Sequence, residues 1–179
     1  MLSRRVVIVV LFLLATLGPF LAARAILIQQ APIKVMSTIE ARIVEAAGGW
    51  NRCYHNRTYG PRMAAARRAN PDSMISSMAY DLADGPVRIS GEVWSRYWSL
   101  SFYQQNTDNF FVMNDQQIDG ATFDVVLTTA EQGHKAEQGD VIVSPTTKGI
   151  MLIRRFAASE ADMPGILENQ DKTQCSAIS

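Results

Sequence analysis

The chain opens on one long apolar stretch and then changes to short apolar segments separated by turn residues. Val6–Ala23 is an uncharged run of eighteen residues that follows two arginines, and this length is sufficient to cross the hydrocarbon core of a bilayer as a helix. Apolar residues resume at 26–28, beyond Arg24, whose long side chain can reach the interface. We therefore expect residues 1–30 to form an N-terminal membrane anchor.

A cleaved secretory signal is the alternative for the same segment. A basic start and an apolar centre precede the small-residue pattern Ala23-Arg24-Ala25, which is typical of a cleavage site. The resumed apolar residues favour the uncleaved anchor. In both cases the basic start favours a cytoplasmic N-terminus and an exported domain. The sequence thus predicts a single-pass protein of the bacterial inner membrane, in contact with its lipid, with a periplasmic C-terminal domain.

Residues 31–49 are predicted to form an amphipathic helix that connects the anchor to the domain. Its apolar residues recur mostly at three- and four-residue spacing, with charged residues between them. The apolar stripe consists of Met36, Ile39, Ile43, Val44 and Ala47, and the charged residues are Glu40, Arg42 and Glu45. Gly48-Gly49 is a stop signal for this helix.

From residue 50 onward the pattern is that of strands. The predicted strands are Ser73–Tyr80, Val87–Ser90, Tyr97–Gln104, Phe110–Met113, Thr122–Thr129, Val141–Ser144 and Gly149–Ala157, and a helix follows from Ser159 or Glu160 to about Gln170. Short strands separated by turns predict an antiparallel meander. Asp84-Gly85-Pro86 is expected to join two successive strands, and 145–149 to form a hairpin turn. The fold class is therefore α+β, with residues 50–179 as one β-rich domain.

The distribution of charge along the chain limits the classes of partner that it is expected to bind. The chain has 17 basic and 17 acidic residues, and residues 1–70 carry ten of the basic ones against two acidic ones. The β-rich half is therefore acidic, which argues against a nucleic-acid partner. We predict none.

Candidate binding residues come from the polar and aromatic segment 50–70 and from the turns beyond it. Arginine offers a planar fork to anions and aromatic faces stack on sugars, so an anion or sugar site is one interpretation; a solvated loop with a short helix at 61–68 is the favoured one. Should a site exist, histidine, arginine and the amides would bind a polar ligand and the tyrosines would stack. The candidates are His55, Arg57, Asn70, Asp72, Tyr97, Tyr103 and Asn109.

Catalytic signatures are weak. The two histidines are His55 and His134, the latter in a charged loop, and no serine has a G-x-S-x-G context. The aspartates fall mostly at turns, where backbone hydrogen bonding explains them. We predict a non-catalytic binding or assembly module without metal or cofactor. The alternative is a periplasmic hydrolase of a small or carbohydrate substrate that uses Asp72 with a second carboxylate.

Cys53 and Cys175 are the two cysteines. In an oxidising compartment, a bond between them would close a loop of most of the domain and stabilise it. Two unrelated free thiols are the alternative. Neither cysteine has a neighbouring CxxC or metal-ligand pattern, which favours the disulfide.

The segments NPDSMISSMAYDLADGPVRIS and RYWSLSFYQQNTDNFFVMND, with VIVSPTTKGIMLIRRF and ADMPGILENQ, resemble the bacterial family called domain of unknown function 1254. The resemblance covers roughly residues 50–170. It implies a β-sandwich-like domain with flanking helices, often membrane-anchored in its short forms, and a companion membrane protein of the domain of unknown function 1214 family as a partner. Ser73 and Ile75 depart from the threonine and tyrosine usual after the Asn-Pro-Asp turn. The family carries no established reaction.

Overall fold

The computed structural model describes residues 4–59, 70, 72–133 and 139–178. A helix, α1 (Arg4–Ala47), precedes a domain of strands and one further helix. The strands are β1 (Tyr54–His55), β2 (Ser73–Asp81), β3 (Val87–Glu92), β4 (Trp98–Gln104), β5 (Asn109–Asn114), β6 (Thr122–Thr129), β7 (Asp140–Ser144), β8 (Lys148–Phe156) and β9 (Gln174–Ala177). Short 3-10 turns occupy Ala130–Gln132 and Glu160–Asp162, and the second leads into α2 (Met163–Asp171).

Two sheets face each other across the main core. In the described residues, sheet A has the spatial order β1-β2-β8-β4-β5 and sheet B the order β7-β6-β3-β9. Alternate residues point inward, as the strand period requires. Sheet A contributes Met78, Tyr80, Trp98, Leu100, Phe102, Met151 and Ile153 to the core, and sheet B contributes Val87, Ile89, Phe123, Val125, Leu127 and Ile142. The predicted α+β class, with an N-terminal helix and an antiparallel-rich sandwich, is confirmed.

The predicted connections between strands are partly wrong. β7 belongs to sheet B and β8 to sheet A, so residues 145–147 carry the chain between sheets and do not form a hairpin. Asp84-Gly85-Pro86 likewise takes the chain from β2 in sheet A to β3 in sheet B. β6 and β7 pair in parallel. The fold is therefore not a meander, although β4 and β5 do form the expected antiparallel pair.

The anchor and the predicted connecting helix form one continuous helix. Pro32 lies inside α1, where proline removes one backbone hydrogen bond, and the helix continues to Ala47. Gly48 follows the last helical residue, and its φ of 72° is a conformation that glycine adopts without strain. At 1.5 Å per residue, α1 is about 66 Å long. It is long and apolar enough to cross a membrane, and its N-terminal part is exposed.

The last turns of α1 lie on the outer face of sheet A. Met36 and Ile43 are buried against Ala79 of β2 and Ile150 of β8. Tyr103, Leu152 and Trp50 are among the residues that pack around this contact. Because helix and sheet share a separate apolar cluster, the helix is fixed to the domain without entering the main core.

The sequence pattern does not predict two short strands, β1 and β9. β1 pairs with β2, and β9 pairs with β3 at the other sheet's edge. Cys53, next to β1, is bonded to Cys175 of β9, with 5.4 Å between the Cα atoms. The disulfide therefore joins the edges of the two sheets. The predicted short helix at 61–68 and His134 lie outside the described residues.

Candidate functional site

His55 and Arg57 lie at the edge of sheet A, where each has a partner. The Nδ1 atom of His55 is 2.8 Å from the Ser76 hydroxyl oxygen on β2. Arg57 forms an exposed ion pair with Asp171 at the end of α2. β1 is thus tied to β2 on one side, and the residues after it are tied to α2.

Behind His55 lies a fully buried arginine. Arg155 of β8 donates from Nη1 to the Ser76 hydroxyl at 2.8 Å and from Nη2 to the Thr173 hydroxyl at 2.7 Å. Its Nε donates to the side-chain oxygen of Asn169 on α2. Burial lowers the pKa of Arg155 to about 10, which leaves the guanidinium charged at neutral pH. We call Ser76, Arg155, Asn169 and Thr173, together with His55, the buried polar cluster.

Electrostatics keep the imidazole in this cluster neutral. Burial first, and then the charges of Arg155 and Arg57, lower the pKa of His55 to about 4 against an opposing effect of Asp171. Ser76 accepts from Arg155, so its hydroxyl proton is free to point at His55. This geometry resembles a serine–histidine pair, but Ser76 is 0% exposed and its oxygen is held by Arg155. The cluster therefore holds β1, β8 and α2 together.

Asn70 and Asp72 build the turn that starts β2. The Asn70 side-chain oxygen accepts the Asp72 backbone N–H at 3.1 Å, and the Asp72 carbonyl accepts the N–H of Ala157 at 2.8 Å. Pro71 lies outside the described residues. The Asp72 side chain is exposed. These are the contacts of a turn residue, and none of them favours the hydrolase alternative.

Tyr97 and Tyr103 lie at the two ends of β4, and Asn109 begins β5 opposite Tyr103. Tyr97 precedes the strand, is 52% exposed and accepts the N–H of Phe156 through its carbonyl. Tyr103 accepts a hydrogen bond from Arg154 at 3.3 Å. Asn109 donates to the carbonyl of Phe102 at 3.0 Å, at the bulge of the β4–β5 pair.

The strand register separates the seven predicted residues into three groups. Ser73 pairs with Phe156, which places Asn70 and Asp72 with Tyr97 at one end of sheet A. Tyr103 pairs with Ile150 near the other end, beside Asn109. His55 and Arg57 lie at the sheet edge. The structure therefore does not gather the seven residues around one centre.

A groove that the sequence did not predict lies where α1 meets sheet A. Its volume is about 540 Å³, and we call it the junction groove; it is lined by Ser37, Glu40, Ala41, Val44 and Glu45 of α1 and by Trp50, Gln105 and Lys148. The loop after α1 is fixed to β2, because Asn51 exchanges two 2.8 Å hydrogen bonds with the backbone of Asp81. One wall of the groove is thus formed by α1, and the other by Trp50 of this loop, Gln105 after β4 and Lys148 of β8.

Charged and aromatic groups of the groove contact one another. The Lys148 ammonium is 3.1 Å from the Asp81 carboxylate and 4.8 Å from the centroid of the Trp50 ring. Glu40 is 4% exposed, and its Oε1 atom has no hydrogen-bond partner among the described residues. Glu40 lies well outside the predicted span Val6–Ala23, and burial raises the pKa of its carboxyl against the lowering effect of Lys148.

The sequence pattern places Glu40 among the charged residues that lie between the apolar ones of its helix. It lies four residues after Met36 and three before Ile43, and such residues share one helix face. The sequence therefore contained a signal for a carboxyl group at the buried contact. Across residues 4–59, 70, 72–133 and 139–178, no three His, Cys, Asp or Glu side chains are grouped as they would be around a metal ion.

Comparison with known proteins identifies the fold more clearly than the chemistry. The family model described as a protein of unknown function (DUF1254) matches residues 50–177. The crystal structure of the VPA0106 protein from Vibrio parahaemolyticus is similar, with a TM-score of 0.66, 16% identity and coverage of 83% of this chain and 35% of that one. An uncharacterized protein from Burkholderia cenocepacia has a TM-score of 0.51, 12% identity and coverage of 89% and 43%. This chain thus spans less than half of either solved chain, and no curated protein matches it.

Proposed function

The chain belongs to the DUF1254 family of proteins of unknown function, and from that premise we propose that it is a membrane-anchored, non-catalytic binding or assembly module. Its domain would lie in the periplasm, and its N-terminus in the cytoplasm. Its binding surface would be the junction groove. Among the residues that line it are Glu40, Glu45, Trp50 and Gln105.

The continuity of α1 carries this proposal. The same helix that is apolar enough to span a membrane supplies one wall of the groove. Anything bound between α1 and sheet A contacts the anchor and the domain at once. A binding site at this position is held at a fixed height above the bilayer, as expected for a module that recruits or presents a partner near the membrane.

The contacts of the other polar residues support a non-catalytic role. Ser76 is buried and held by Arg155, and neutral His55 faces it. Nucleophile and base must be within reach of a substrate to act. A buried hydroxyl of this kind does not meet that condition.

Location and partner rest on further observations. Arginines precede the apolar run, which favours a cytoplasmic N-terminus, and a disulfide between Cys53 and Cys175 suits an oxidising compartment. Inner-membrane lipid would surround α1. The resemblance noted above suggests a membrane protein of the domain of unknown function 1214 family as the companion.

Native mass spectrometry of the full chain, released from its own membranes in mild detergent, tests the binding role. We expect the wild-type chain to carry an additional bound mass. Ala41→Trp, which fills the groove from an exposed helix position, should abolish that mass. Val141→Trp, at an exposed position on β7, should retain it. A bare monomer in all three samples would refute the proposal.

A further inference from the structure

The junction groove contains more negative than positive charge. Glu40 and Glu45 line it, and Asp81 is paired with Lys148, the one basic residue of the lining among the residues that the structure describes. Two carboxyl groups therefore line the groove, and the ammonium group of its lining is already paired with Asp81. Charge of this sign in a concave, partly desolvated site attracts a cation.

Glu40 adds a specific need for a hydrogen-bond donor. It is 96% buried, since 4% of its surface is exposed, and its Oε1 has no partner among the described residues. Burial without a donor disfavours the ionised form of this carboxyl group, which is the reason that its pKa is raised. A ligand that donates from a charged nitrogen would supply both the hydrogen bond and the counter-charge.

The groove wall already holds an ammonium group of its own. Lys148 Nζ lies over the Trp50 ring at 4.8 Å and against Asp81 at 3.1 Å. An indole face with nearby carboxylates is the chemistry by which proteins recognise alkylammonium groups. The same wall extends to Gln105, whose amide can accept or donate a further hydrogen bond.

Resting on the proposed binding function, we propose that the junction groove binds a small organic cation through a primary ammonium group. Glu40 and Glu45 accept hydrogen bonds from the ammonium, and the edge of Trp50 contacts the alkyl chain. Glu40 lies about 18 Å along α1 beyond Ile28, the last residue of the apolar stretch. The interfacial layer is only about 5–8 Å thick on each side, so a soluble amine fits this position better than a lipid headgroup.

Isothermal titration of the full chain in phosphatidylcholine nanodiscs with putrescine tests the inference, with 1,4-butanediol as the neutral analogue. We expect putrescine to bind and butanediol to give no heat. Glu40→Gln should weaken putrescine binding at least tenfold. The matched control Glu168→Gln removes the same charge from an exposed position on α2 and should leave the affinity within twofold of wild type.

Two further arms complete the test. Glu45→Gln, an exposed groove residue whose change is compatible with folding, should weaken binding severalfold even if Glu40→Gln alters the helix contact. In nanodiscs of phosphatidylethanolamine, unchanged putrescine affinity would identify a soluble amine as the ligand, and a lost signal would identify the lipid ammonium as a competitor.

Equal heats for putrescine and butanediol, or equal losses in Glu40→Gln and Glu168→Gln, would overturn the inference. If native mass spectrometry still shows a bound mass that Ala41→Trp abolishes, only the ligand class is wrong. If that mass is also absent, the binding function itself fails.

Discussion

His55 is neutral in the fold because the cost of charging it rises on burial. Its pKa is lowered to about 4, first by burial and then by Arg155 and Arg57. In the unfolded chain the pKa returns to its ordinary value near 6.5. Between these two values the unfolded state binds more protons than the folded state, so stability must fall as the pH falls.

The first prediction concerns this pH dependence. The free energy of unfolding should decrease by about 1 to 2 kcal/mol between pH 7.5 and pH 5 through His55 alone, a range reduced for its partial exposure. Denaturant titrations of wild type and His55→Gln in mild detergent isolate this contribution. The variant should show a correspondingly smaller difference between the two pH values, and identical pH dependences would contradict the account.

Gly149 gives the second prediction at this scale. It is the second residue of β8, which lies between β2 and β4, and a Cβ atom there would overlap the Tyr103 carbonyl oxygen and the Tyr80 hydroxyl. The Tyr80 hydroxyl is fixed by Ser144 at 3.1 Å, so it cannot easily move. Gly149→Ala should therefore destabilise the chain by more than about 2 kcal/mol. Gly18→Ala, where the added atom meets nothing within 4 Å, is the control and should melt like wild type.

The roles of some single residues can be predicted from the local sequence, and the roles of others depend on long-range contacts. The turn roles of Asn70 and Asp72 follow from side chains that hydrogen-bond their own backbone, which is a local property. The partners of His55 come from β2, β8 and α2, and no local pattern encodes that meeting. For Glu40, the spacing to Met36 and Ile43 predicts that it lies on the buried face of the helix, but the local sequence does not predict what it contacts there.

At the scale of elements, the strands were predictable and several of their connections were not. The alternation of apolar and polar residues predicts β4, because one face of the strand must pack against the core. Trp98, Leu100 and Phe102 are all buried, as expected. The segment 145–147 has the composition of a hairpin turn. It crosses between sheets because β8 is paired with β2 and β4, and long-range pairing decides which neighbour a strand receives.

The contact between α1 and sheet A yields the third prediction. Met36→Ala should remove apolar contacts with Ala79 and Ile150 and weaken helix docking by about 2–4 kcal/mol. Hydrogen–deuterium exchange should accelerate in residues 36–47 while the main core stays protected, because the two clusters are separate. Val35→Ala, at an exposed position, is the control. Equal acceleration in both variants would show that the contact does not hold the helix.

At the scale of the whole molecule, the Cys53–Cys175 disulfide joins the two sheets, and α1 joins the domain to the apolar segment. The apolar run could be recognised from sequence because its length matches a bilayer. The sequence favours a bond between Cys53 and Cys175 because neither has a metal-ligand or redox pattern, although spacing alone cannot bring two cysteines together. The structure does so by placing β1 and β9 at the edges of opposite sheets.

The disulfide is the subject of the fourth prediction. Intact-mass analysis after alkylation without reductant should detect no alkylated thiol in the full chain. The double variant Cys53→Ser/Cys175→Ser should lower the free energy of unfolding by up to about 4–5 kcal/mol, because the bond closes a loop with a sequence separation of 122. Two alkylated thiols in wild type would rule the bond out. The same spectrum identifies the mature N-terminus, and a chain beginning at Ile26 would exclude the anchor.

The claim that binding occurs at the junction of anchor and domain is tested most directly by site-specific photocrosslinking in intact cells. A photoreactive residue with a short aliphatic diazirine side chain, which is much smaller than the tryptophan that fills the groove, would replace Ala41, which lines the groove, or Val141, which is exposed on β7. The account predicts a discrete adduct from position 41, lost when Glu40→Gln is added, and none from position 141. Adducts of equal yield from both positions, or from position 141 alone, would contradict it.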